Sequence, residues 1–194
     1  MPPPRQPLAV VDLMAGGADL WPALRQRFGA GLHLTAVDFS APMLARAVRH
    51  AAGAGLVLLP ADALATDLPT GSAHVVTSTF SLKTLAPAAY PALAREAARL
   101  LQPGGRLALL EVVLPARGWL RRLLPAYLDV LMPVVRWLCP AAAVHAALAG
   151  YLHRGSDLAA LRHALRQAGF GQFQQQRHSP GCAVLFTAEL TGGR

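Results

Sequence analysis

Leu8-Ala9-Val10-Val11-Asp12-Leu13-Met14-Ala15-Gly16-Gly17-Ala18-Asp19, followed by Thr35-Ala36-Val37-Asp38-Phe39-Ser40, decides the architecture of this 194-residue chain. Each half is an apolar run ending on an acid. A continuous apolar run of this length reads as a strand buried on both faces, as in a parallel sheet. Small residues after the first strand form a turn in which backbone N–H groups can approach a ligand closely. The second acid, Asp38, stands 26 residues after Asp12, at the tip of the second strand. Open sheets that bind nucleotides place a carboxylate there to accept two ribose hydroxyls. The chain thus opens as a β-turn-α-β unit suited to a nucleoside. The dinucleotide fingerprint G-x-G-x-x-G is absent from the turn, which sets a nicotinamide oxidoreductase aside.

The rest of the chain continues the alternation. Strands are predicted at Leu8–Leu13, Leu32–Val37, Leu56–Leu59, Ala73–Thr79 and Arg106–Val113. Helices are predicted at Ala18–Phe28, closed by Gly29, and from Ser40 to near Gly53, with Ser40 as cap and Pro42 in the first turn. A third helix spans Ala88–Leu101 and stops at Pro103-Gly104-Gly105. Such alternation argues for a parallel sheet covered by helices on both faces. After strand five the rhythm breaks. Residues 119–155 are apolar but carry Arg121, Arg122, Asp129 and Arg136, with prolines at 125, 133 and 140. That interrupted pattern fits short amphipathic helices forming a lid rather than a membrane span. A helix Ser156–Ala168, capped by Ser156 and ended by Gly169, precedes two last strands, Gln172–His178 and Cys182–Leu190. Residues 1–7 form a proline-rich tail and residues 8–190 a single domain.

Composition bounds the partners. Hydrophobic residues make up 54% and charged residues 14%, so the chain can bury a core. Eighteen Lys+Arg against ten Asp+Glu give +8, and Lys83 is the only lysine. A basic balance suits an anionic membrane surface or an acidic ligand. Scattered arginines and 6% aromatics give no stacking platform, so nucleic acid is not expected. Cys139 and Cys182 have no motif spacing and read as reduced thiols of a cytosolic protein. The N-terminus has no apolar core, so no secretory signal is expected, and no histidine pair has metal-helix spacing. The scarce acids are the informative residues: Asp12, Asp19, Asp38 and Asp62 all fall at strand ends or in the turns beyond them.

The acid-ended first strand, the short turn and the Val-Asp-x-Ser after the second strand resemble class I S-adenosylmethionine (SAM) methyltransferases. Their Asp-x-Gly-x-Gly-x-Gly motif falls on Asp12, Met14, Gly16 and Ala18, so only the middle glycine is kept. Ala61-Asp62-Ala63 lies where these enzymes hold adenine. Thr79-Phe80-Ser81-Leu82-Lys83-Thr84-Leu85 resembles the Ser-Phe-Gly-Leu-Arg-Asn-Val segment of the C-methyltransferases of ubiquinone and menaquinone biosynthesis. Leu101-Gln102-Pro103-Gly104-Gly105-Arg106-Leu107, then Leu110-Glu111, matches their Leu-Lys-Pro-Gly-Gly-Arg-Leu and later Leu-Glu. Gly169-Phe170 and Pro180-Gly181-Cys182-Ala183-Val184 match two C-terminal turns.

What this resemblance implies is a Rossmann-like fold with a seven-stranded, mostly parallel sheet, and SAM as cofactor with S-adenosylhomocysteine as product. It implies that Asp12 accepts from the SAM amino group and that Gly16 and Gly17 bring their N–H groups to the ligand. Asp38 then takes the ribose, Met43 packs the adenine, Asp62 holds its exocyclic amine with Ala63 beside it, and Phe39 belongs to the same cofactor-binding set. Thr79 and Phe80 sit below the sulfonium. The acceptor implied is a small, lipophilic aromatic or quinone-type molecule, reached by a cytoplasmic protein at the membrane periphery. A homodimer is compatible with the chain. A group that assists loss of the ring proton is sought among Lys83, His145, Tyr151 and His153; Lys83 stands at the family's arginine. The eroded glycine motif leaves an alternative open: a relative that keeps the fold but uses SAM otherwise, or serves as a partner protein.

Overall fold

In the computed structural model, which describes residues 7–50, 55–113, 130–131, 157–178 and 183–192, the apolar runs become the middle of one sheet. Its strands are β1 (Leu8–Leu13), β2 (Leu32–Asp38), β3 (Leu56–Pro60), β4 (Ala73–Thr79), β5 (Leu101–Val112), β6 (Phe170–His178) and β7 (Ala183–Leu190). They lie in the order β3-β2-β1-β4-β5-β7-β6. The first five run parallel, and β7 is antiparallel to both β5 and β6. Strand order reverses between β1 and β4, and a crevice for ligands opens at such a switch point, beyond the carboxyl ends of the strands.

Side chains alternate across each strand. Val10, Leu32 and Leu34 therefore meet Trp21 of α1 (Trp21–Phe28) on one face. On the same face Ala36 packs with Ala18 and with Ala47 of α2 (Ala41–Ala47). Val11, Leu13, Val37, Val76, Leu107 and Leu109 point to the other face. There they bury Leu93, Ala97 and Leu100 of α3 (Tyr90–Leu100) and Leu161 and Leu165 of α4 (Leu158–Gln167). The expected sheet with helices on both faces is the fold observed.

Several expected boundaries move, each for a local reason. The first helix starts at Trp21, not Ala18, because Ala18 has φ 56° and cannot continue a right-handed helix. Ser40 occupies the N-cap of α2, yet its side chain makes no capping bond; Pro42 removes one of the two N–H groups such a cap would serve. The third helix is shorter at both ends, Tyr90–Leu100, behind a 3-10 turn Pro87–Ala89. Leu101 instead pairs with Ala73, so β5 begins early and bulges through Pro103-Gly104-Gly105 before resuming at Val75 opposite Arg106. A Cβ on Gly105 would lie 2.8 Å from the Gln102 carbonyl and 2.9 Å from Leu101 Cδ2, which is why glycine stands there. At α4 the cap is Asp157, not Ser156: its Oδ1 accepts the N–H groups of Ala159 and Ala160 at 3.1 and 2.9 Å.

One polar staple holds the loop between β3 and β4. Glu96 of α3 accepts the N–H and hydroxyl of Thr66 at 2.9 and 2.6 Å. Arg99 reaches the same carboxylate and donates to the carbonyls of Thr66 and Leu68. The expected lid at 119–155 lies outside the described residues, apart from Val130 and Leu131, which are helical. Among the described residues no helix is long and apolar enough to cross a membrane.

Candidate functional site

The carboxyl ends of β1 to β5 bring four acids and two aromatic rings to one edge of the sheet. Asp38 ends β2. Its Oδ2 accepts the Gly16 N–H at 2.8 Å and its Oδ1 accepts the Ser40 N–H at 2.8 Å. Each oxygen thereby keeps a lone pair, and the two are held as a matched pair of acceptors. Gly16 has φ 56° and nothing within 4 Å of where a Cβ would be, so the turn is open above it. Gly17 is buried. Phe39, the residue after the carboxylate, is 80% exposed. An aromatic face exposed beside paired acceptors is a stacking surface without a partner among the described residues.

Asp12 behaves differently. It is 1% exposed, and its Oδ1 accepts the Thr77 hydroxyl at 2.7 Å across the β1–β4 pair. Burial pushes its carboxyl up to about 6; the Thr77 hydrogen bond opposes this and the nearby Asp38 charge adds to it. The sequence expectation has Asp12 accepting from a ligand amino group. In the structure its resident partner is Thr77, a residue the sequence reading gave no role. A buried acid with no cationic partner among the described residues costs stability, and such costs cluster at functional sites.

On the floor of the crevice the chain leaves β4 through a strained corner. Phe80 has φ 56°, is 39% exposed, and donates its N–H to the Leu110 carbonyl at 2.7 Å. Ser78 donates its hydroxyl to the Leu13 carbonyl at 2.7 Å, which leaves Ser81 to donate to Ser78. The 3-10 turn Leu82–Thr84 follows, and within it Lys83 Nζ stands 5.5 Å from the Phe80 ring centroid. Burial pulls the Lys83 ammonium below the ordinary lysine value, and Glu111 works against that pull. Glu111 itself is 1% exposed and accepts the N–H groups of Lys83 and Val112. Sequence reading noted it only as part of a matching Leu-Glu. The missed signal was parity: Glu111 shares the inward face of β5 with Leu107 and Leu109, where a carboxylate must be buried.

The remaining expected residues divide. Thr79 is half-buried at the end of β4. Met43 is half-buried on α2, its Sδ 4.0 Å from an Arg46 guanidinium nitrogen. Asp62 is exposed, with Oδ1 accepting the Leu64 N–H at 2.9 Å, so one oxygen stiffens its own turn. The Ala63 side chain is 3% exposed and belongs to the main core, which leaves only its backbone for a ligand. His145, Tyr151 and His153 lie outside the described residues. Among the described residues no three His, Cys, Asp or Glu side chains converge in a metal-binding group.

Comparison with known proteins agrees with this geometry. The family described as "Methyltransferase domain" matches residues 10–105. A demethylmenaquinone methyltransferase of Thermus thermophilus is 36% identical over 131 residues, covering 66% of this chain and 58% of that protein. The chain thus spans less than two thirds of the Thermus relative. Another demethylmenaquinone methyltransferase, from Clavibacter sepedonicus, is 30% identical over 189 residues, covering 95% of this chain and 74% of its own. Human N-acetylserotonin methyltransferase, solved in complex with SAM, superposes with a TM-score of 0.67 at 17% identity, over 95% of this chain and 48% of that one.

Proposed function

The chain belongs to the class I SAM-dependent methyltransferases, and on that premise we propose that it transfers a methyl group from SAM to a small, lipophilic, quinol-type aromatic acceptor. The observation that carries this reading is the paired-acceptor geometry of Asp38 beside the exposed ring of Phe39. Two carboxylate oxygens pinned by two backbone N–H groups suit the adjacent hydroxyls of a ribose, and an open aromatic face next to them suits a purine. Charge supports it too. The protein carries +8 overall, yet Asp12, Asp38, Asp62 and Glu111 gather at this edge. A cationic sulfonium ligand is favoured at such a place.

When bound, the cofactor supplies a methyl group already activated on a positively charged sulfur. The protein's task is then to align, to exclude water and to manage one proton, and alignment alone can supply about 7–11 kcal/mol of barrier lowering. Gly16 and Asp38 fix the nucleoside end. Asp12, latched to Thr77, holds the first turn and its negative charge close to the ligand's cationic end. Asp62 and the Ala63 backbone border the base, with Met43 packing behind it. Thr79 and Phe80 shape the floor under the reacting methyl. Lys83 faces the acceptor's oxygen: as an ammonium it stabilises the oxyanion from which a ring carbon attacks. Tyr151 and His153 are the further candidates for receiving the ring proton.

The named relatives support a quinone-type acceptor, and the apolar, arginine-bearing stretch 119–155 suits a lipophilic substrate at an anionic membrane surface. Incubation with methyl-labelled SAM and a reduced short-chain 2-prenyl-1,4-naphthoquinol tests the proposal. Label in the quinol ring is expected. Label in no aromatic acceptor, with SAM bound, would favour a SAM-binding relative with another reaction. Flotation with anionic liposomes at low salt is expected to carry the protein upward; its absence would refute the surface association.

A further inference from the structure

Glu111 has a place in the site but no role in the scheme above. It occupies the inward face of β5 among Leu107 and Leu109, 1% exposed. Its Oε2 accepts the Lys83 N–H at 3.2 Å and its Oε1 the Val112 N–H at 2.9 Å. The neighbouring Leu110 carbonyl takes the Phe80 N–H at 2.7 Å. Two successive residues of β5 therefore latch the two ends of the Phe80–Lys83 corner, one by its backbone and one by its side chain. A carboxylate offers one acceptor oxygen to each of these N–H groups, whereas an amide would set an NH₂ donor against one of them. The turn thus uses both oxygens, and the charge they carry lies beside the lysine whose N–H one of them accepts.

Its counterpart is the chain's single lysine. Lys83 is half-buried, with Nζ 5.5 Å from the Phe80 ring centroid. Burial works against its charge and Glu111 works for it; in return, burial pushes the Glu111 carboxyl up while Lys83 pulls it down. Tyr90, at the start of α3, feels the Glu111 charge, and Asp157, at the cap of α4, acts in turn on Tyr90. Resting on the methyltransferase reading above, we infer that Glu111 is a positioning residue that acts through Lys83. It fixes the turn carrying the lysine and supplies the charge that keeps the ammonium over the Phe80 ring, facing the acceptor oxygen.

The single lysine makes the test clean. Reductive methylation with ¹³C-formaldehyde gives one side-chain resonance, distinct from the terminal amine, whose titration NMR follows in the full chain. In Glu111→Gln the lysine is expected to release its proton three- to tenfold more readily than in the wild type. Glu111→Asp keeps the charge and is expected to titrate close to the wild type. With the naphthoquinol acceptor, Glu111→Gln is expected to lower kcat about tenfold with little change in the KM for SAM. The alkaline limb of its pH profile should move to lower pH, and Lys83→Arg in the same chain, permanently charged, should remove that limb. An unchanged lysine titration in Glu111→Gln overturns the inference, as does a shifted titration with unchanged kcat and pH profile. A wild type that methylates no aromatic acceptor refutes the functional reading instead, and the titration still decides whether Glu111 holds the lysine.

Discussion

Replacing Asp12 by asparagine is predicted to make the protein more stable at neutral pH and no more stable in acid. Asp12 is 1% exposed, and burial lifts its carboxyl from 3.8 to about 6, against the Thr77 hydrogen bond and with help from Asp38. The native state therefore holds this proton more tightly than the unfolded chain does. Protonated, the side chain costs the fold little; ionised, it costs the desolvation of a buried charge. The penalty is absent below pH 3.8, grows between 3.8 and about 6, and is complete above that. Each tenfold change in a proton-binding constant is worth about 1.4 kcal/mol, so the full penalty is about 3 kcal/mol. Asparagine keeps the shape and an oxygen for the Thr77 hydroxyl, but its NH₂ group needs an acceptor of its own, which offsets part of the gain. Urea unfolding followed by circular dichroism should then show Asp12→Asn more stable by roughly 1–3 kcal/mol at pH 7.5 and within about 0.5 kcal/mol of the wild type at pH 4. A difference that does not depend on pH, or a variant less stable at pH 7.5, would refute the reasoning. The same substitution is expected to weaken SAM binding, since a buried charge of this kind is retained for function rather than stability.

Three further substitutions separate binding from folding. Phe39→Ala removes an 80% exposed ring, so unfolding free energy should stay within about 0.5 kcal/mol while SAM affinity in calorimetry falls roughly three- to tenfold. Met14 is held at φ 57°, a conformation that costs a side-chain-bearing residue about 1–2 kcal/mol; Met14→Gly is expected to tighten SAM, and weaker binding would mean that the thioether forms part of the cavity wall. Gly105→Ala would drive a methyl to 2.8 Å from the Gln102 carbonyl. An overpacking cost of about 2 kcal/mol, seen as a melting temperature roughly 4–8 °C lower, is predicted.

Much of the fold was written in runs of residues. Leu8–Leu13 and Leu32–Val37 are apolar apart from Asp12, His33 and Thr35, so they had few ways to be anything but inner parallel strands. Ala73–Thr79, with Val75, Val76, Thr77 and Thr79, is β-branched enough to fix its own limits, and the strand matches residue for residue. Helix starts were harder, because they depend on backbone angles that composition does not reveal. Alanine favours helix, yet Ala18 is held at φ 56° by the turn that aims Gly16 at Asp38. The site was legible where a carboxylate ends a strand, as at Asp38. It was not legible where the chemistry depends on which face a residue takes across the sheet. Thr77 meets Asp12, and Glu111 meets Lys83, through pairings of strands far apart in sequence. Strand parity could have flagged Glu111 as buried, but not its partner.

The central claim is that the tips of β1 and β2 form a nucleoside site built on Asp38. Calorimetric titration of the wild type and of Asp38→Ala with SAM and S-adenosylhomocysteine tests it directly. Losing a doubly held carboxylate that accepts ribose hydroxyls corresponds to about 1.5–3 kcal/mol, or roughly 10- to 150-fold in affinity. The account predicts micromolar binding to the wild type and a loss of that size in the variant. No binding by the wild type at millimolar ligand, or equal affinities in the two proteins, would contradict it.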